Sequence, residues 1–296
     1  MLAIIIPYYK RTFFDATLQS LAAQTCKDFK VYIGNDASTE DPVDLLQHFQ
    51  GQFDFVYRRF ETNLGGVSLT QQWERCITLS ENEPWLMILG DDDILGEKVV
   101  EEFYKNLEEI ETIGCNVVRF ATQIINGKGK AISEVYEHPR LEKAKDSFWR
   151  KFKGETRSSL SEYIFSRAAY SKYGFKDYPL AWHSDDRAWL EFADGNTILS
   201  INQVLIYIRM SSMNISGKGD NLENKRLASY AFYEGVADDY LSFFNKKQRL
   251  KLITKAEWQF FDLKQKAMLV KILKYHMKYT NLIHLVKFFR RIYINR

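Results

Sequence analysis

Three aspartates in succession, Asp91, Asp92 and Asp93, stand behind the apolar run Trp85-Leu86-Met87-Ile88-Leu89, with only Gly90 between. Adjacent carboxylates repel one another, so grouping them at the end of a buried strand calls for a cation. A divalent metal bridging to phosphates is the usual one. Asp36 follows a second apolar run in "GNDAST", and Pro7-Tyr8-Tyr9 closes a third. A further pair, Asp185 and Asp186, lies in "WHSDDRAWLEFADG". Each of these acids also has a plainer reading as a helix N-cap: Asp93 before "ILGEKVVEEF", and Asp185 or Asp186 before a helix that Gly195 would close.

The elements that must carry these groups alternate. Residues 3–7, 29–33, 53–57 and 85–89 read as short apolar strands. Between them Phe14, Leu18, Leu21 and Ala22 recur at helical spacing, residues 43–49 read as a second helix, and Leu69, Trp73, Cys76 and Ile77 share one face of a third. This alternation predicts an α/β fold with a mostly parallel sheet covered by helices on both faces. Ligands of such sheets sit outside the carboxyl ends of the strands. Pro7–Tyr9, Asp36 and Asp91–Asp93 would therefore converge on one edge. Farther on, "NGKGKA" reads as a turn between strands 116–125 and 132–136.

Composition narrows the class. With 296 residues, 46% hydrophobic and 15% aromatic, the chain can bury a large core, and its five prolines do not suggest long linkers. Three scattered cysteines without metal spacing predict buried thiols in a reducing compartment. No charged leader precedes the first strand and no run of about 18 apolar residues occurs, so a cytoplasmic protein without a membrane span is expected. The 38 acidic residues all lie at or before Asp262, whereas nine of the 41 lysines and arginines lie after it.

Several stretches resemble glycosyltransferase family 2, the inverting enzymes whose GT-A fold binds a nucleotide sugar. "IIIPYYKR" is similar to the family's I-I-P-x-Y-N-R, with Lys10 where asparagine is usual. "LQSLAAQTCKDFKVYIGNDAST" resembles S-L-x-x-Q-T-x-x-x-F-E-I-I-V-V-D-D-G-S-T, and "NLGG" the N-x-G loop. "LMILGDDDIL" resembles f-L-D-x-D-D-x-L, with Gly90 in place of the first acid. "WHSDDRAWLEFADG" is similar to E-D-x-x-x-W-L-R-x-x-x-x-G, with Ser184 for the glutamate. "YIRMSSMNIS" is similar to Y-R-x-H-x-x-S-x-S, with Met210 and Ser211 where histidine is frequent. The six motifs keep family order across roughly residues 3–216.

The resemblance implies a GT-A catalytic domain over 1–216, with a nucleotide-sugar half over about 1–95 and an acceptor half over about 96–216, then a C-terminal helical region over 217–296. It implies donor contacts from Pro7, Tyr8, Tyr9, Arg11, Asp36, Asn63, Asp91, Asp92 and Arg209. Asp91 would reach the ribose and Asp36 the base or ribose; Tyr9 is either a donor contact or a core aromatic. Asp93 is the implied ligand of Mn²⁺ or Mg²⁺, with Asp91 or Asp92 as alternatives. Counting back from Trp189 puts Asp185 at the family's general base, with Asp186 as the alternative. Arg167 and Arg209 match acceptor-side positions, and Arg209 would reach the diphosphate. "SGKGDN", 216–221, either closes over the donor or is an exposed connection.

The implied reaction moves a sugar from a nucleotide-diphosphate sugar, UDP-sugar foremost, to a hydroxyl of a glycan or lipid-linked acceptor in bacterial cell-surface polysaccharide synthesis. A sugar-phosphate nucleotidyltransferase would need a glycine-rich phosphate loop after the first strand, and "PYYKRTFFD" has no glycine. A subunit that only binds nucleotide sugar would have no use for Asp93 and Asp185. After residue 263, Leu269, Ile272, Leu273 and His276 share one helical face. Leu282, Leu285, Val286, Phe289 and Tyr293 share another, opposite lysines and arginines. Such helices suit a peripheral position on anionic lipid at the inner membrane face, or else pack on their own domain. Nucleic acid is not expected as a partner, because the body is acidic and the tail has no binding motif. The sequence leaves oligomeric state open.

Overall fold

The computed structural model describes residues 1–217, 219–263 and 266–294. The chain divides into two units, Met1–Asn221 and Leu222–Arg296. The first is built on a ten-stranded sheet. Its opening half alternates as β1 (Leu2–Tyr8), α1 (Phe14–Ala22), β2 (Phe29–Asn35), α2 (Val43–Gln47), β3 (Asp54–Arg59), α3 (Leu69–Ile77) and β4 (Trp85–Ile88). β1 pairs in parallel with β2 and β4, and β2 with β3. Both faces of β1 are buried, so its run of isoleucines packs above and below the sheet. At the edge, β3 alternates exposed and half-buried residues and ends in Arg58-Arg59, charges that keep an open edge from pairing further.

The second half contains β5 (Ile94–Leu95), α4 (Val99–Lys105), α5 (Leu107–Thr112), β6 (Val117–Ile125), β7 (Ala131–Tyr136), β8 (Leu141–Lys143), α6 (Ala144–Phe152), β9 (Tyr163–Ser166), α7 (Arg167–Tyr173), α8 (Ser184–Phe192) and β10 (Thr197–Arg209). The sheet order is β3-β2-β1-β4-β9-β6-β10-β5, with β7 beside β6 and β8 beside β10. β9 runs antiparallel to both β4 and β6, which makes one continuous sheet of the parallel first half and the mixed half beyond it. The turn at 126–131 does join antiparallel strands, β6 and β7.

α3 approaches β2 closely because residue 34 is glycine: a Cβ there would stand 2.3 Å from Cys76 Sγ. α3 begins at Ser68, whose side chain accepts from Gln71 N. Asp93, Asp185 and Asp186 do not serve as caps: α4 starts after Lys98 and α8 after His183, neither with a side-chain cap. The three cysteines are free, with Cys76 and Cys115 buried and Cys26 half-buried.

The second unit consists of α9 (Leu222–Tyr240), α10 (Lys246–Leu263), α11 (Lys266–Tyr279) and α12 (Leu282–Ile294). Its core gathers Tyr230, Ala256, Met268, Ile272 and Phe288. Buried Glu257 pairs with His276 Nε2 at 2.6 Å and Arg291 at 2.5 Å. Of the two readings of the α12 face, packing on its own domain is not what this unit shows: Phe288 is buried, with Ile292 packed against the same core, while Leu282, Val286, Phe289 and Tyr293 are exposed and Leu285 is half-buried. Lys264 and Arg296 lie outside the described residues, as does Lys218 of the 216–221 stretch. Among the described residues no helix is long and apolar enough to cross a membrane.

Candidate active site

Parallel pairing puts the carboxyl ends of β1, β2 and β4 on one edge, with Tyr8 opposite Asn35 and Ile5 opposite Ile88. They open onto a cavity of about 430 Å³, within the range of small-molecule sites. Pro7, Tyr8, Tyr9, Asp36, Asn63, Asp91 and Asp92, all expected there, line it. Tyr9 is 44% exposed, so the core aromatic at this end is Tyr8, whose ring lies tilted against Phe14 with centroids 4.7 Å apart. Asp91 Oδ2 accepts from the amides of Tyr9 and Lys10, each at 2.8 Å, which ties the end of β4 to the end of β1. Asp92 Oδ2 accepts from Asn214 Nδ2 at 3.1 Å. Burial and the neighbouring Asp92 charge push the Asp91 carboxyl up to about 7.

Asp36 holds the "NLGG" loop. Its oxygens accept from Leu64 N at 2.7 Å, Gly65 N at 2.8 Å and Arg75 at 2.6 Å. A Cβ at residue 65 would stand 2.6 Å from Asp36 Oδ2, so this approach requires glycine. Asn63 Oδ1 accepts from Gly66 N at 2.6 Å and fixes the loop tip.

Two expected donor contacts are placed elsewhere. Arg11 is not on the cavity wall; its guanidinium is held by Asp44 at 2.6 and 2.7 Å, a fork on a carboxylate. Arg209 is buried, and its Nε and NH1 donate to Asp92 O and Asn126 O, both at 2.9 Å, over the Phe13 ring. It fixes the backbone under Asp92 and does not line the cavity.

Asp93 also turns away from the cavity. It is 7% exposed, with Oδ1 accepting from Arg209 N at 2.8 Å and Oδ2 from Ser161 Oγ at 2.6 Å. The geometry therefore moves the metal candidate from Asp93 to Asp92, with Asp91 beside it. Asp93→Ala strands a buried amide and a buried hydroxyl, so a loss of about 1–3 kcal/mol is expected. A lower urea midpoint with an unchanged slope reports it.

At the start of α8 the two carboxylates differ. Burial would raise Asp186, but Lys151 Nζ and His183 Nδ1, the latter at 2.7 Å, outweigh it and hold the carboxyl below the usual range. Asp185 is half-buried, and burial together with the Asp186 charge pushes it up to about 7. The chain reaches this helix start through Leu180, Ala181 and His183, with φ of 60°, 50° and 72°. Three left-handed non-glycine residues in four positions mark a segment held against its local preference. Arg167 instead braces the far end of the sheet, donating to Glu83 O at 2.6 Å.

The fold and this cavity define the GT-A class of nucleotide-sugar-binding transferases. The model of glycosyl transferase family 2 matches residues 3–178, and the chain belongs to that family. Among solved structures it is similar to S. aureus TarS residues 1–349 in complex with UDP-GlcNAc, with a TM-score of 0.59 and 14% identity over 94% of this chain and 73% of that one. It is similar also to the same TarS segment in complex with UDP, at a TM-score of 0.56. Against the longer S. aureus TarS structure the TM-score is 0.61, with 13% identity over 88% of this chain and 43% of that one. No curated protein sequence matches the chain.

Sequence reasoning missed part of the wall. Lys10 lines the cavity and donates from Nζ to Met213 O; its only signal was standing where the family has asparagine. Met213, Asn214 and Ile215 line it too, just ahead of the stretch expected to close over the donor. Among the described residues no group of three or more His, Cys, Asp or Glu side chains could enclose a metal. Asp91 and Asp92 fit a hard cation that takes one or two protein carboxylates and completes its shell with phosphate and water oxygens.

Proposed function

We propose that the chain transfers a sugar from a UDP-sugar to an acceptor hydroxyl with inversion at the anomeric carbon. The cavity at the carboxyl ends of β1, β2 and β4, bordered by Asp91 and Asp92, carries this reading. The UDP and UDP-GlcNAc complexes of the similar TarS structures support the choice of nucleotide. Mn²⁺ or Mg²⁺ held by Asp92, with Asp91 alongside, would neutralise charge on the departing diphosphate. The Tyr9 and Lys10 amides orient Asp91, and the Lys10 ammonium adds positive charge beside both carboxylates. Asp185 takes the proton of the attacking hydroxyl, while Asp186, occupied by Lys151 and His183, fixes the start of α8. The acceptor we assign is a glycan or lipid-linked saccharide of the bacterial cell surface, handled on the cytoplasmic side.

Incubating the protein with a panel of sugar nucleotides and Mn²⁺, and following nucleoside diphosphate release alongside thermal shifts, tests this. A UDP-sugar should both raise the melting temperature and be hydrolysed slowly. A panel in which no nucleotide sugar does either overturns it. The pH profile is a separate check. Only deprotonated Asp185 accepts a proton, so kcat/KM should fall as pH drops through about 7, losing tenfold per unit below it. A flat profile down to the ordinary carboxylate range would remove Asp185 as the base.

A further inference from the structure

The second unit carries a surface that glycosyl transfer does not use. α12 has two apolar faces. Phe288 packs inward, while Leu282, Val286, Phe289 and Tyr293, at spacings of four, three and four, are 74%, 58%, 50% and 80% exposed. Lys287 and Arg290 flank that stripe and are exposed too. α11 repeats the mixture, with Val270 and Met277 exposed beside Lys274 and Lys278. Other basic groups of these helices serve the fold: Lys271 pairs with Glu234 at 2.5 Å and Asp238 at 2.8 Å, and Arg291 with Glu257.

We propose that the outer stripe of α12, with the exposed lysines of α11, docks on an anionic lipid bilayer. Packing within the unit has already chosen its apolar face, so the remaining stripe is surplus to the core. The charge pattern selects the occupant: no acidic residue occurs after Asp262, so neither helix opposes a negative surface. An apolar stripe flanked by lysine and arginine is the arrangement that seats a helix in the headgroup plane, its side chains in the acyl boundary and its cations among phosphates. The inference stands apart from the transferase reading and can fail without it.

The test is co-sedimentation of the full chain with vesicles of equal parts phosphatidylglycerol and phosphatidylcholine, and of phosphatidylcholine alone, at low and high salt. Binding should favour the anionic vesicles and weaken as salt shortens the screening length. The double variant Lys287→Ser, Arg290→Ser should weaken anionic binding roughly 25-fold. Val286→Ser with Phe289→Ser should weaken binding to both vesicle types. These four side chains lie on the surface, so folding and UDP-sugar hydrolysis should be unchanged. Absence of binding at low salt, or equal binding by wild type and both variants, overturns the proposal. Concentration-dependent self-association that disappears in the Val286→Ser, Phe289→Ser variant also overturns it, since the stripe then seats a second copy of the chain.

Discussion

Asp185→Asn is expected to lower turnover by about 10²-fold or more, the usual scale for loss of a general base, while donor affinity stays within a factor of about two. Removing the base acts on the proton transfer and not on the diphosphate, so kcat carries the loss. The same change should raise the melting temperature. The folded pKa, about 7, lies above the unfolded carboxylate value. Stability from this group is therefore full below the unfolded pKa and is lost as pH rises through 7. At working pH the charged, half-buried Asp185 opposes folding, and asparagine relieves it, at roughly 2–4 °C for each kcal/mol recovered. Activity and melting temperature moving in opposite directions identify a group kept for function. Asp186→Asn should do the reverse, loosening Lys151 and His183 and lowering the melting temperature. A greater loss of turnover in Asp186→Asn with an unchanged fold would exchange the two roles.

The second large effect concerns Asp92. Asp92→Asn keeps an acceptor for Asn214, so the fold should persist, but one charge leaves the cavity. Turnover should fall by about 10²-fold or more, as expected for weakened charge neutralisation worth several kcal/mol. The response to added Mn²⁺ should flatten. Asp93→Asn, which retains an oxygen for the Arg209 amide, should keep most of its turnover. If Asp93→Asn instead silences a well-folded enzyme and Asp92→Asn does not, the ion belongs to Asp93.

The parallel core could be read from the chain because β1 and β4 are apolar runs, β2 is apolar but for Lys30, and each is followed within a few residues by its polar group. Family order of the motifs then placed the cavity. The roles within the aspartate triplet depend on partners remote in sequence. Asp93 turns inward because Ser161 and Arg209, 68 and 116 residues away, meet it there, and no local pattern announces that. Arg11 is captured by Asp44 at a distance of 33 residues. On α12, helical periodicity reveals apolar positions but not which of two apolar arcs the neighbouring helices will cover.

The left-handed run before α8 limits what evolution or a protein engineer can write there. At Leu180, Ala181 and His183 the backbone excludes branching at Cβ, so valine, isoleucine and threonine are closed to these sites. Glycine, asparagine and aspartate remain admissible by shape. Glycine would also release local strain, and with it the rigidity that sets where the helix begins. The permitted alphabet at these positions is therefore small, and it is fixed by backbone handedness before any acceptor exerts a preference.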